Sequence, residues 1–171
     1  MVLLLSDAVP YHQTFAMAFF AAGVVTDWLD GFLARRWKQK TDLGAFMDPL
    51  ADKLLVLLFL VALTYEGFYP LWLLLCMLTR ELVHDAARSF VASKGVVIGA
   101  NLPSKGKTML QMASLLLVLG LLSYSEFHPT IPIDAELALR IAEAVLFIAL
   151  MLGVIGSVQL FLKASSNFRG T

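Results

Sequence analysis

Cysteine and charged side chains are both scarce in this chain. One cysteine, Cys76, among 171 residues excludes an internal disulfide and a metal site built from several cysteines. Charged residues make up only 15% of the chain, whereas soluble domains contain about 25%. Basic and acidic residues are equally numerous, 13 of each, so the net charge gives no reason to expect a nucleic-acid partner.

Apolar residues are abundant instead. They make up 59% of the chain, with a mean hydropathy of +0.79, whereas soluble domains contain about 45–50% apolar residues. This composition predicts an all-α, polytopic transmembrane helix bundle, because a backbone in lipid has to satisfy its own hydrogen bonds. Five segments are long enough to cross, at about residues 14–35, 44–63, 70–90, 107–124 and 136–162.

The chain is predicted to form one domain, 1–171, because no linker, low-complexity tract or repeat divides it. Residues 1–5 are apolar but lack the basic region and cleavage site of a signal peptide. They are also too few to cross, since a transmembrane helix needs about 20 residues. We therefore expect residues 1–5 to be the remnant of a first helix, with the five complete helices following in an N-terminally truncated domain.

Prolines are predicted to mark the ends of the helices. Pro70 suits the first turn of the third segment, where a missing N–H group costs nothing. Pro103, Pro129 and Pro132 are placed in the links, outside the helices.

Basic residues are distributed unequally between the two sets of links. The links at 6–13, 64–69 and 123–136 contain no lysine or arginine, and Arg140 is the one basic residue near that end. The positive-inside rule puts the other set on the cytoplasmic side of a bacterial-type inner membrane. That set consists of Arg35, Arg36, Lys38, Lys40, Lys94, Lys105, Lys107, Lys163 and Arg169.

A spaced set of carboxylates interrupts the apolar background. Residues 27–52 read D-x2-D-G-x2-A-R-x8-G-x3-D-x3-D. Asp27 and Asp30 share one face of a helix near its cytoplasmic end, and Asp48 and Asp52 share a face at the start of the next helix. A short basic link makes the two helices antiparallel neighbours, which brings the two faces together. Ionisable side chains in a membrane are costly and therefore indicate function.

Clustered carboxylates predict a site for divalent cations. Four such groups repel one another unless cations neutralise them, and oxygen-only ligands suit Mg²⁺ or Mn²⁺. Gly31 and Ala34 lack bulk, so a ligand can approach this face closely. Arg35 supplies a fork of donors for a phosphate. The residues alone therefore predict a metal site that handles a phosphoryl group and opens towards the cytoplasm.

The pattern resembles the signature of the CDP-alcohol phosphatidyltransferases at all eight fixed positions. Those integral membrane enzymes join a CDP-linked lipid to an alcohol and release CMP. The resemblance implies two divalent cations, bound mainly by Asp27, Asp30 and Asp48, with Asp52 as a further ligand and the general base. It implies that the nucleotide and its pyrophosphate contact Asp27, Gly31, Ala34, Arg35 and Gly44.

Residues further along are similar to one branch of that family. The run at 48–53 is common to phosphatidylglycerophosphate synthases and cardiolipin synthases. Arg80-Glu81-Leu82, Arg88 and the run at 104–108 with Gln111 look more like the phosphatidylglycerophosphate synthases. The resemblance implies transfer of a phosphatidyl group from CDP-diacylglycerol to glycerol 3-phosphate within the lipid membrane. We also expect a homodimer.

A phosphorylated acceptor fits the basic residues at the cytoplasmic ends of two helices. Glycerol 3-phosphate carries two negative charges, which need charged donors. We predict that its phosphate binds Arg80, Arg88, Lys94, Lys105 and Lys107. Two alternatives stay open: the lysines serve only the topology of the membrane protein, and Arg80 forms an internal ion pair with Glu81.

Three polar residues near this cluster have a less specific interpretation. His84 and Asp85 are adjacent on a helix and so point about 100° apart, and we expect them to line a polar pocket. Lys53 follows Asp52, and it either supports the metal site or lies at the membrane interface.

Two other functions stay open. One is a cardiolipin synthase of the same family, whose acceptor, phosphatidylglycerol, needs a second lipid groove more than a cationic pocket. The other is a small membrane transporter with carboxylates along a pathway. A pathway needs ionisable residues at several depths. Here the aspartates lie near one membrane face, which favours an enzyme with a site on that side.

Overall fold

Five helices make up the regular structure of the residues that the computed structural model describes, 10–37, 42–93, 102–128 and 134–169. Side chains are described for these residues apart from 27–28, 30–52, 102–105 and 166–169. The helices are α1 (His12–Trp37), α2 (Asp42–Tyr65), α3 (Leu71–Ser93), α4 (Leu102–Phe127) and α5 (Ala135–Arg169). The predicted all-α class and its five helices are confirmed. The expected remnant at residues 1–5 lies outside the described residues.

Helix α4 lies at the centre of the bundle. It packs most extensively on α5 and also contacts α1 and α2, while α3 contacts α2 and α5. The fully buried side chains of the core include Phe20 of α1, Leu60 of α2, Leu73 of α3, Leu119 of α4 and Leu146 of α5. All five helices therefore contribute to one core, in which close packing supplies the attraction between helices surrounded by lipid.

The outer surface of the bundle is also apolar. Large side chains such as Phe19, Leu82 and Leu162 are 65–70% exposed. Soluble monomers rarely expose extended apolar patches, whereas lipid solvates such a surface. Within the described residues, Gly106–Phe127 and Ala135–Ser165 are long and apolar enough to cross a membrane, with hydropathies of 1.6 and 2.5. The fold is thus that of a helical membrane bundle, and the crossing of α1, α2 and α3 stays a prediction.

Two prolines do not lie where the sequence predicted them. Pro103 was expected in a link, but it is the second residue of α4, a first-turn position whose N–H group has no partner within a helix. Pro70 was expected inside the first turn of α3 and instead precedes the helix by one residue. Its carbonyl accepts hydrogen bonds from the backbone nitrogens of Leu73 at 3.0 Å and Leu74 at 3.5 Å. Pro129 and Pro132 lie outside the described residues.

A residue of α4 caps the N-terminus of α1. Tyr11 precedes that helix with a φ of 59°, and its ring stacks on Phe127 with the centroids 5.2 Å apart. The carboxylate of Glu126 accepts hydrogen bonds from the backbone nitrogens of Gln13 at 2.8 Å and Thr14 at 3.0 Å. It also accepts one from the Thr14 hydroxyl at 2.6 Å. A local N-cap would bind these same N–H groups, so Glu126 caps α1 from a different helix.

We expect Glu126→Ala to lower the thermal stability of the protein. Loss of an N-cap costs about 0.5–2 kcal/mol, because helix N–H groups are left without a partner. The midpoint of thermal unfolding of the purified protein in detergent measures the effect. Glu136→Ala is the matched control, since that carboxylate pairs with the exposed Arg140 one turn along the same helix. Equal losses in the two variants would contradict a capping role.

Candidate active site

The eight signature positions lie on two helices that follow one another and pack together. Five fall in the last half of α1 and three in the first half of α2. The link between the helices, 38–41, is only four residues long, so both halves of the signature lie at the same end of the pair. Because the helices are continuous across all eight positions, signature residues three or four apart lie on the same face of their helix.

The predicted metal ligands belong to the positions whose side chains lie outside the described set. Among the side chains that are described, no three histidines, cysteines, aspartates or glutamates are close enough together to bind a metal ion. The divalent-metal site at Asp27, Asp30, Asp48 and Asp52 therefore stays a prediction. So do the pyrophosphate contacts of Gly31, Ala34, Arg35 and Gly44.

A polar cavity of about 180 Å³ lies between α2, α3 and α4. Its charged lining is Lys53, Glu81, Asp85, Arg88 and Lys107, and His84 and Gln111 also face it. Lys53 directly follows the signature residue Asp52 in α2, so the cavity lies beside the second half of the signature. The expectation that His84 and Asp85 line a polar pocket is confirmed.

Glu81 is the centre of a buried set of ion pairs. Its Oε2 accepts hydrogen bonds from Arg80 at 2.6 Å and from the Lys107 ammonium at 2.7 Å. The Lys53 ammonium lies 3.6 Å from its Oε1. The side chains of Glu81, Arg80 and Lys107 are only 14%, 6% and 7% exposed. Removing this carboxylate would leave buried cations without a partner, which is strongly destabilising.

Asp85 pairs with Lys53 closer to solvent. Both carboxylate oxygens lie close to the lysine ammonium, at 2.5 Å and 2.6 Å. The Lys53 side chain is 33% exposed and that of Asp85 is 45% exposed. This pair therefore connects α2 to α3 at a part of the cavity that solvent reaches.

Comparison with known proteins decides the family. The family model described as CDP-alcohol phosphatidyltransferase matches residues 1–161. The chain belongs to the CDP-alcohol phosphatidyltransferase family. It is therefore a member of a family of enzymes, as its signature predicted.

Three relatives of the chain share one name, CDP-diacylglycerol–glycerol-3-phosphate 3-phosphatidyltransferase. The protein from Escherichia coli strain K12 is 37% identical over 150 residues, which are 84% of this chain and 78% of the relative. That from Cereibacter sphaeroides is 40% identical over 116 residues, 65% of this chain and 52% of its own. That from Sodalis glossinidius is 44% identical over 105 residues, 58% and 57% respectively. The chain thus spans about half the length of the last two relatives.

The predicted acceptor residues fall into three groups. Arg88 lines the cavity. Arg80 and Lys107 form ion pairs with Glu81. The Arg80–Glu81 pair is the internal ion pair that the sequence analysis gave as the alternative role of Arg80. Lys105 lies in the first turn of α4 with its side chain outside the described set, and Lys94 lies outside the described residues. Binding of the acceptor by these five residues stays a prediction.

Two residues of α5 contribute to the site, and sequence reasoning missed both. A Cβ added to Gly153 would lie 2.9 Å from Arg80 Nε and 3.1 Å from Lys107 Cδ, so glycine makes room for these two side chains. Ser157 donates to the Gly153 carbonyl at 3.1 Å, and its oxygen lies 3.1 Å from Nδ1 of His84. Ser157 therefore connects His84 of α3 to the backbone of α5 at Gly153. In the sequence, only the presence of a glycine inside a long apolar helix could have indicated a close contact at this position.

Proposed function

We propose that this protein transfers the phosphatidyl group of CDP-diacylglycerol to glycerol 3-phosphate, forming phosphatidylglycerophosphate and CMP. The single observation that carries the proposal is the cavity with Lys53, Arg88 and Lys107 beside the signature half of α2. It supports a phosphate-bearing acceptor next to the residues that the family uses for the nucleotide. The names of the relatives support the same pair of substrates.

The donor substrate is assigned to the signature end of α1 and α2. Asp27, Asp30, Asp48 and Asp52 form an oxygen-only donor set that fits two Mg²⁺ or Mn²⁺ ions. When bound, such ions supply charge neutralisation for the pyrophosphate and for the leaving CMP. The chain's own contributions at this end are the other signature positions, which bind and orient the nucleotide: Gly31, Ala34, Arg35 and Gly44.

Asp52 is proposed to be the general base. Its carboxylate accepts the proton of an acceptor hydroxyl while the hydroxyl oxygen bonds to the phosphorus of the phosphatidyl group. The bond from that phosphorus to the CMP oxygen breaks, and CMP leaves with the electron pair. Lys53, one residue further along α2, lines the acceptor cavity, which supports a base and an acceptor on adjoining parts of one helix.

The location of the reaction is part of the proposal. The basic links of the sequence include the one that joins the two halves of the signature, and by the positive-inside rule this supports a site at the cytoplasmic face of the inner membrane. CDP-diacylglycerol then enters laterally from the inner leaflet, while glycerol 3-phosphate arrives from water. We propose a homodimer as the functional form.

A second acceptor is supported by a separate observation. An apolar groove of about 540 Å³ runs between α3 and α5, and its lining includes Leu75, Val83, Val154, Phe161 and the charged Arg80. A lipid acceptor needs such a groove in addition to the one for CDP-diacylglycerol. The groove supports phosphatidylglycerol as the alternative acceptor and hence a cardiolipin synthase.

The deciding experiment measures CMP release from CDP-diacylglycerol by the purified protein in lipid vesicles with Mg²⁺. Glycerol 3-phosphate, phosphatidylglycerol and inositol phosphate are offered in parallel. We expect release with glycerol 3-phosphate. A preference for phosphatidylglycerol would establish the cardiolipin synthase instead. No release with any acceptor, together with solute flux through sealed vesicles, would establish a transporter.

We expect Arg88→Gln to weaken binding of glycerol 3-phosphate selectively. A hydrogen bond to a charged group contributes about 1.5–3 kcal/mol, which corresponds to roughly 10–150-fold in affinity. The apparent KM for glycerol 3-phosphate should rise by that factor, while the KM for CDP-diacylglycerol stays near the parental value. Lys105→Gln is expected to act in the same direction. Arg140→Gln at the other end of the bundle is the control, and an equal rise in both KM values would contradict the assignment.

A further inference from the structure

The two carboxylates of the cavity bind their cations in different ways. Glu81 is buried and pairs with Arg80 and Lys107, which are buried as well. Asp85 is almost half exposed, and both of its oxygens lie within 2.6 Å of the Lys53 ammonium. Glu81 is therefore a fixed part of the structure, whereas the Asp85 side chain is 45% exposed while it pairs with Lys53.

An empty cavity needs a negative charge near its cations. The described lining includes three cations, Lys53, Arg88 and Lys107, and a fourth, Arg80, bonds to Glu81 from outside the lining. Cations without partners are costly in the low-dielectric surroundings of a membrane protein. Asp85 supplies the nearest negative charge to the Lys53 ammonium, closer than Glu81 Oε1 at 3.6 Å, and so reduces that cost at Lys53.

We propose that Asp85 is the resting counter-ion of Lys53, and that the phosphate of the acceptor replaces it when the substrate binds. This inference rests on the proposed function, because it takes the acceptor to be a phosphate monoester. In the exchange the phosphate oxygens accept hydrogen bonds from the Lys53 ammonium, and the Asp85 carboxylate turns to the solvent that already reaches it. Asp85 is thus a positioning residue that acts through Lys53.

The exchange and a purely structural ion pair predict opposite changes in phosphate affinity when the Asp85 carboxylate is removed. Asp85 competes with the acceptor for Lys53, so its presence lowers acceptor affinity while it keeps the empty site charge-balanced. Removing the carboxylate should therefore tighten the binding of phosphate. If the pair only held α2 against α3, its removal would release Lys53 from the cavity and weaken the binding of phosphate.

The test compares Asp85→Asn with the parental protein in two measurements. Calorimetric titration of the purified, Mg²⁺-loaded protein with inorganic phosphate reports binding without turnover. CMP release at varied glycerol 3-phosphate reports the acceptor KM. Partly exposed ion pairs contribute about 0.2–1 kcal/mol, so we expect phosphate to bind roughly 1.4- to fivefold more tightly. The acceptor KM should fall by a similar factor, with the KM for CDP-diacylglycerol unchanged.

Three further variants make the test specific. In a Lys53→Gln background, Asp85→Asn should no longer tighten phosphate binding. If it still raised phosphate affinity by the same factor there, the exchange would be overturned, because the Asp85 carboxylate would then act only by repelling the phosphate. Glu136→Gln, which removes the carboxylate of another exposed ion pair, should change neither constant. Asp85→Ala, should Asp85→Asn fold poorly, must show the same direction.

Failure of this inference is distinct from failure of the proposed function. Unchanged or weaker phosphate binding in both Asp85 variants would overturn the inference even if the parental protein releases CMP with glycerol 3-phosphate. A parental protein that releases no CMP with glycerol 3-phosphate would overturn the proposed function, on which the inference depends.

Discussion

Asp52→Asn is expected to lower kcat by about 10²-fold or more, because a positioned general base contributes roughly 10²–10⁴ to the rate. The amide retains the size of the side chain but cannot accept the proton of the acceptor hydroxyl. The measurement is the initial rate of CMP release with both substrates saturating. It is made at saturating Mg²⁺, so that a weakened metal ligand is not mistaken for a lost base. Binding of CDP-diacylglycerol should stay close to the parental value.

Asp42→Asn is the matched control for this variant. Asp42 is the first residue of α2 and lies outside the eight signature positions, and asparagine retains the size of the aspartate side chain. We expect Asp42→Asn to turn over near the parental rate. If Asp52→Asn also does so, the base lies elsewhere.

Removal of divalent cations is expected to abolish turnover. Four clustered carboxylates repel both one another and the pyrophosphate of the donor, so the site should not bind CDP-diacylglycerol productively without Mg²⁺ or Mn²⁺. Addition of EDTA to the purified protein, followed by CMP release, measures the effect. Activity should return when Mg²⁺ or Mn²⁺ is added in excess over the chelator.

A second readout separates loss of metal from loss of protein. The midpoint of thermal unfolding should rise on addition of Mg²⁺, because a ligand that binds only the folded state stabilises it. Asp30→Asn should reduce that rise, whereas Asp134→Asn, outside the signature, should not. Undiminished CMP release in the presence of EDTA would rule out the proposed two-metal mechanism.

Features that are local in sequence were predictable. The apolar segments and the signature lie within continuous stretches, so both could be found without knowledge of the packing, and the structure has all eight signature positions in α1 and α2. The helix ends were less accurate. The fifth helix was expected to end near residue 162 and continues to Arg169, because no proline or glycine interrupts that stretch until Gly170.

Features that depend on pairs of distant residues were not predictable. Lys53 pairs with Asp85 across 32 positions, and Lys107 pairs with Glu81 across 26. No spacing rule connects residues of different helices. The sequence therefore showed that charged residues lie in apolar surroundings, but not which of them pair with one another. The role of Glu81 as partner of both Arg80 and Lys107 and the space left by Gly153 emerge only when the helices are packed together.

The cap that Glu126 provides has a consequence for the order of assembly. It lies 112 and 113 positions after the two backbone groups of α1 that it binds, in a helix made much later during synthesis. Until α4 has been translated and has packed on α1, the N–H groups of Gln13 and Thr14 depend on water for their hydrogen bonds. The helix that bears the first two signature aspartates therefore gains its N-terminal cap only after α4 has been synthesised.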